Sequence, residues 1–247
     1  MLKLEYVTKS YAKGRVKAVD GLTLDVRDGE IFGFIGPNGA GKTTTIKMIT
    51  GVLKPDSGTI TINGKNIATQ DIEAKMDIGF VPDSQEIYDR LTGMEYLNFI
   101  ADIYQVPAQE RRERIEKYLS LFRLRKEAGE LIRSYSHGMK QKLMLTAALL
   151  HEPPLWILDE PLTGLDPEAA LALKDAMRAH CRAGKTVFFS THVLEVAERL
   201  CDRIGIIKGG KLIAVGTLEE LRSGEKGASL EQLFFELTQA TKEDGAE

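Results

Sequence analysis

Apolar residues in the first part of the chain come in short runs broken by turn formers. LKLEYV, AVDGLTLDV and EIFGFIG each have the length and composition of a strand. SGTITINGKNI then alternates with a period of two, and its Asn63-Gly64 pair favours the left-handed backbone of a tight hairpin. Between these runs, Thr43 to Thr50 reads as a helix stopped at Gly51, which takes a left-handed C-terminal cap without a Cβ penalty. DIGFVPD predicts another buried strand.

From Glu86 to His151 the apolar spacing lengthens to three and four residues. TGMEYLNFIADIY and AQERRERIEKYLSLFRL predict two helices, and SHGMKQKLMLTAALLHE a third, opened by a capping serine. Strands return in LWILDE, TVFFSTH and RIGIIKGGKLIAVGT, the last a hairpin around Gly209-Gly210. A helix from Glu168 to Ala183 lies between the first two. Two short C-terminal helices each open on a capping box, Thr217-x-x-Glu220 and Ser229-x-x-Gln232. Leu230, Leu233, Phe234 and Leu237 form the apolar stripe of the second, and the charged tail TKEDGAE is expected to fray. Strands alternating with helices imply an α/β core with a mostly parallel sheet. The helical stretch 86–151 reads as a subdomain inserted into that core.

Composition narrows the class. A length of 247 residues suits one large domain or two modest ones, and a formal charge of −3 lacks the broad positive field of a nucleic-acid binder. The basic cluster QERRERIEK is interleaved with glutamates, as on a solvated helix face. Two cysteines, Cys181 and Cys201, stand without CxxC spacing, which suits a reduced cytosolic protein. The opening MLKLEYVTKSY has no apolar core of signal-peptide length, and no apolar run is long enough to span a bilayer. A membrane role is therefore expected to run through a partner.

The chemistry begins at GPNGAGKTT, residues 36–44, set between a predicted strand and a predicted helix. Gly36, Gly41, Lys42 and Thr43 match the phosphate-binding loop G-x-x-x-x-G-K-[ST]. Glycines let successive N–H groups, including those of Asn38, Gly39, Ala40, Gly41 and Thr44, converge on phosphate oxygens at a helix N-terminus. Lys42 is expected on the β- and γ-phosphates and the Thr43 hydroxyl on Mg²⁺. PLWILDEP, residues 154–161, ends an apolar strand in two carboxylates at the sheet edge where ligands bind. Asp159 suits the Mg²⁺ shell, and Glu160 can orient or deprotonate an attacking water.

A family resemblance joins these motifs. Ser136, Gly138 and Gln141 in SYSHGMKQK resemble the signature segment, usually LSGGQ, of ATP-binding-cassette (ABC) ATPases. TGLD at 163–166 is similar to the family's D-loop, His192 after TVFFS to its switch histidine, and Tyr11 to the aromatic that stacks on adenine. The resemblance runs from about Leu2 to Thr217. It implies a P-loop NTPase core with an antiparallel β subdomain and an inserted helical subdomain, and leaves 218–247 as a C-terminal extension. It also implies ATP and Mg²⁺ bound in a homodimer or cassette heterodimer, each ATP lying between one phosphate loop and the partner's signature, with Asp166 at the seam. The implied partner is an integral-membrane permease on a separate chain, holding the cassette on the inner, cytoplasmic face of the membrane.

Two departures matter. Where the family commonly has a glutamine that joins Mg²⁺ and reaches the permease, this chain has Asp83, with Gln85 two residues later. Asp83 is the preferred ligand, because an acid can bind Mg²⁺ through oxygen. The signature reads YSHGM, with His137 and Met139 at variable positions. Both departures, and the ending SLEQLFFELT, resemble ABC-2-type export systems. Some of Tyr88, Tyr96, Phe99 and Tyr104 are expected to line the permease groove; core packing is the competing assignment. The competing function is a soluble cassette acting in translation, repair or cluster assembly. Such proteins typically add a second cassette, a coiled-coil insertion or a basic patch, and none is read here.

Overall fold

The computed structural model describes residues 1–12, 14–222 and 229–243. In chain order they form β1 (Leu2–Tyr11), β2 (Val16–Val26), β3 (Ile31–Ile35), α1 (Lys42–Ile49), β4 (Ser57–Ile62), β5 (Lys65–Asn66), α2 (Asp71–Met76) and β6 (Ile78–Val81). The helices α3 (Gly93–Ile103), α4 (Ala108–Leu121) and α5 (His137–Leu149) follow. Next come β7 (Leu155–Asp159), α6 (Pro167–Arg182), β8 (Thr186–Thr191), α7 (Leu194–Leu200), β9 (Arg203–Lys208), β10 (Lys211–Gly216), α8 (Leu218–Leu221) and α9 (Leu230–Glu243).

Two sheets divide the described strands. The larger has the order β10-β9-β3-β8-β7-β6, parallel except for β10. The smaller, β2-β1-β4-β5, is antiparallel. Every residue of β3, β7 and β8 is buried, which is why EIFGFI, PLWILD and TVFFST read as unbroken apolar runs. Within them the side chains still alternate between two layers. Phe32, Phe34, Leu155, Ile157 and Phe188 face one core with α1 and the antiparallel sheet. Trp156, Leu158, Val187 and Phe189 face the other, packed with α3 to α6. One parallel sheet is thus covered on both faces.

The capping signals predicted from the sequence form. Both halves of the Thr217–Glu220 box are made, and Ser229 and Gln232 exchange the same pair of bonds. Gly51 lies at φ +67, and Gly209-Gly210 turn at φ +54 and +80. Three elements differ from expectation. The short helices α2 and α7 carry too few turns for a helical period to stand out, and neither has a side-chain cap. The last helix runs on to Glu243, into the tail expected to fray, because no glycine or proline lies between Leu230 and Gly245. Residues 244–247 lie outside the described residues. Among the described residues no helix is long and apolar enough to cross a membrane.

Candidate active site

Sheet register assembles the site. Ile35, the last residue of β3, pairs with Thr191 of β8, and Asp159, the last of β7, pairs with Ser190. The segments that leave β3, β7 and β8 therefore emerge side by side at the C-terminal edge of a parallel sheet, where such folds bind ligands. They carry the glycine-rich loop, the two carboxylates and His192.

The loop has the backbone its glycines permit. Gly39 and Gly41 sit at φ +79 and +109. A Cβ on Gly41 would lie 2.3 Å from the Ala18 carbonyl oxygen, so β2 passes too close for any side chain there. The backbone N–H of Gly210 donates to Ala40, tying the loop to the β9–β10 turn (2.9 Å). Asn38 and Gly39 are exposed, Thr44 is half-buried, and Lys42 and Thr43 open α1. The buried Lys42 ammonium donates to the Gly36 carbonyl at 2.8 Å and lies 3.6 Å from Glu160 Oε1. In this state the loop's own oxygens and Glu160 hold the cation.

The carboxylate pair is similarly poised. Asp159 is buried, and burial raises its carboxyl above the usual range. Hydrogen bonds from the Ser190 and Thr43 hydroxyls pull the other way, while the charges of Asp83 and Glu160 add to the rise. The Thr43 hydroxyl and the Asp159 carboxylate are neighbouring oxygen donors, and oxygen donors from few residues are what Mg²⁺ takes beside nucleotide phosphates. These residues fit that ion. Glu160 takes φ +48, an uncommon backbone state for a non-glycine residue. Its N–H donates to Ser190 Oγ at 3.1 Å, and its Oε2 lies 3.0 Å from His192 Nδ1. Lys42, Glu160 and His192 thus form one chain of contacts. Ser190 ties both carboxylate residues to β8; a lone serine in an apolar strand gives no sequence signal for that role.

The remaining predicted residues fall into two groups. Asp83 follows β6, is exposed, and stands close enough to Asp159 to perturb it. Gln85 instead donates through Nε2 to Gln141 Oε1 on α5, at 3.1 Å. Tyr11 is 44% exposed at the end of β1, on the hairpin whose return strand lies against Gly41. Ser136 and Gly138 are engaged with their own helix and the D-loop. Ser136 caps α5 by accepting from Met139 N–H at 3.3 Å, and a Cβ on Gly138 would lie 2.9 Å from the Gly164 carbonyl oxygen. Asp166 caps α6 and pairs with Lys142 at 2.7 Å.

The aromatic set splits. Tyr88 and Phe99 are 61% and 41% exposed, meet edge to face at 5.6 Å, and line a cleft of about 580 Å³ with Ile87 and Leu91. Tyr96 is core, and Tyr104 donates to the Ile78 carbonyl while stacking on His151.

The family model for the ABC transporter matches residues 19–163. The chain is 40% identical to the linearmycin resistance ATP-binding protein LnrL of Bacillus subtilis, over 94% of this chain and 74% of that protein. It is 39% identical to the ABC-type transporter ATP-binding protein EcsA of the same organism, over 99% and 98% of the two chains. A solved ATP-binding subunit of an ABC transporter superposes with TM-score 0.92 at 38% identity, over 96% of this chain and 99% of that one. A dimeric cassette in a post-hydrolysis state, bound to ADP and Pi, superposes with TM-score 0.80 at 28% identity, over 88% and 99%. These likenesses do not favour a soluble cassette of the translation, repair or assembly type. The chain, in which a glycine-rich loop, a carboxylate pair and a histidine gather at one sheet edge, belongs to the ABC transporter family as an ATP-binding, ATP-hydrolysing subunit.

Proposed function

We propose that this chain powers export through a separate membrane permease, by closing on ATP as a dimer and opening after hydrolysis. The relatives in the same similarity range include Nod factor export ATP-binding protein I of Ralstonia nicotianae, 37% identical over 95% of this chain and 72% of that protein, which supports the export direction. No nucleic-acid partner is proposed. The cassette, residues 1–217 with its helical insertion at 86–151, would sit on the cytoplasmic face of the membrane through the permease, with 218–247 as an appended extension.

The observation that carries the reading is the contact chain Lys42–Glu160–His192 beside Thr43 and Asp159. In the proposed cycle Lys42 exchanges its loop carbonyls for phosphate oxygens, helped by N–H groups of residues 38–44 and the positive end of α1. Thr43, Asp159 and Asp83 hold Mg²⁺, which supplies charge neutralisation on the phosphates. Release of Lys42 to phosphate frees Glu160 to take a proton from the attacking water, while His192 fixes the Glu160 carboxylate and faces the γ-phosphate. Tyr11 stacks on adenine. Ser136 and Gly138 of the partner complete the γ-phosphate site, with Asp166 at the seam. Asp83 is preferred over Gln85 as the Mg²⁺ ligand because it perturbs Asp159, whereas Gln85 is engaged by α5. The Tyr88–Phe99 cleft would receive a cytoplasmic helix of the permease.

The test is Glu160→Gln. Turnover should fall at least about 100-fold, the loss typical of a removed general base, while ATP affinity is retained. Light scattering should find an ATP-bound dimer that persists. Wild-type turnover in this variant would overturn the assignment of the base.

A further inference from the structure

Gln141 is 2% exposed and has both ends of its amide engaged. Its Nε2 donates to the Pro161 carbonyl at 3.2 Å, and its Oε1 accepts from Gln85 Nε2 at 3.1 Å. Pro161 directly follows Glu160, whose backbone lies in the left-handed region. Such a conformation persists only where its surroundings hold it. On one side Ser190 accepts from the Glu160 N–H. On the other, Pro161 has no N–H to give, so its carbonyl is the group left for α5 to hold. Gln85 meanwhile leads directly into Ile87 and Tyr88, which wall the exposed cleft. One buried side chain thus touches the residue after the proposed base and the segment entering the cleft.

We propose that Gln141 is a positioning residue for Glu160, and that its bond to Gln85 makes that positioning depend on the cleft. The inference rests on the proposed role of Glu160 as base. A shift of α5 or of the Gln85 segment moves the Pro161 carbonyl, and with it the Glu160 carboxylate between Lys42 and His192. Displacements of about 1 Å at a reacting group can cost on the order of 100-fold in rate.

The test uses phosphate release by the full chain, with ATP affinity measured separately. Gln141→Leu keeps the volume and removes both bonds, and kcat should fall about 10- to 100-fold with the ATP Kd within about twofold. Gln141→Glu keeps the acceptor toward Gln85 and sets a carboxylate against the Pro161 carbonyl. Burial beside a carbonyl raises that carboxyl's pKa, and the protonated acid donates as the native amide does. The ratio of Gln141→Glu kcat to wild-type kcat should therefore rise as pH falls from 8 to 6. A packing role would leave the ratio flat. Gln85→Leu should slow turnover less than Gln141→Leu, and adding it to Gln141→Leu should cost nothing more. Where Gln141→Leu does not fold, the pH ratio decides. Where neither Gln141 variant folds, Gln85→Leu decides, and wild-type kcat there overturns the coupling. Full kcat in Gln141→Leu or a flat ratio overturns the proposal. If Glu160→Gln also keeps wild-type turnover, the base assignment has failed first; if Glu160→Gln is inactive, only the role of Gln141 has.

Discussion

His151 and His180 are held neutral inside the protein, and both have one ring nitrogen with nowhere to place a proton. His151 Nε2 meets the Ile78 carbonyl at 3.1 Å, which leaves Nδ1 buried without a partner under the stacked Tyr104 ring. The His180 ring lies near the Pro153 carbonyl and has a buried, unpartnered Nε2 beside Trp156. Burial lowers both to about 4, against an ordinary value of 6.5. Below pH 6.5 the unfolded chain binds protons that the folded chain refuses, so folded stability falls progressively as pH drops from 6.5 toward 4. At pH 5 the loss is about 2 kcal/mol for each histidine. Thermal melts at pH 7.5 and 5 should show it, and His151→Phe or His180→Leu should flatten the slope; an unchanged slope refutes the account. Legibility at this scale followed chemistry. Lys42, Thr43, Asp159 and Glu160 stand out in the sequence because the proposed phosphate and Mg²⁺ chemistry asks for those groups at fixed offsets. Ser190 was not, since its function depends on strand register with Asp159, a long-range property that no local pattern encodes.

At the scale of elements, close packing and the proposed phosphate geometry ask for the same residue in the glycine-rich loop. Gly41 is needed twice, once for φ +109 and once because the Ala18 carbonyl occupies the space of a Cβ. Gly41→Ala should therefore push β2 away from the loop and bend the N–H cradle. We expect a destabilisation of about 1–3 kcal/mol and a loss of ATP affinity exceeding tenfold, by denaturant titration and calorimetry respectively. Normal affinity would mean that the cradle tolerates the shift. Strands were legible where burial on both faces gave continuous apolar runs, as in β3, β7 and β8. Helices were legible where several turns repeated a stripe or a cap preceded them. In α2 only Ala74 is buried, so tertiary placement rather than pattern makes that helix.

For the whole molecule, the open question is where the second half of each nucleotide site comes from. Ser136 caps its own helix, and Gly138 lies against Gly164 of the D-loop, so the signature is built rigidly onto the same protomer's core. The phosphate loop it is proposed to serve belongs to the partner, an arrangement drawn from family resemblance, since no residue spacing in one chain reports it. Two crippled variants can test it. Lys42→Ala removes the loop cation. Ser136→Asp keeps a good helix cap but sets a negative charge toward the proposed γ-phosphate position. Each homodimer should be inactive, because both of its sites lack a working half. In a mixed dimer one site inherits both defects, while the other combines an intact phosphate loop with an intact signature. Mixing the two should restore turnover, to about a quarter of wild type when dimers form at random and sites act independently. Single-turnover phosphate release, which needs only one competent site, is the deciding measurement. A mixture as inactive as its components would place both halves of the site on one chain.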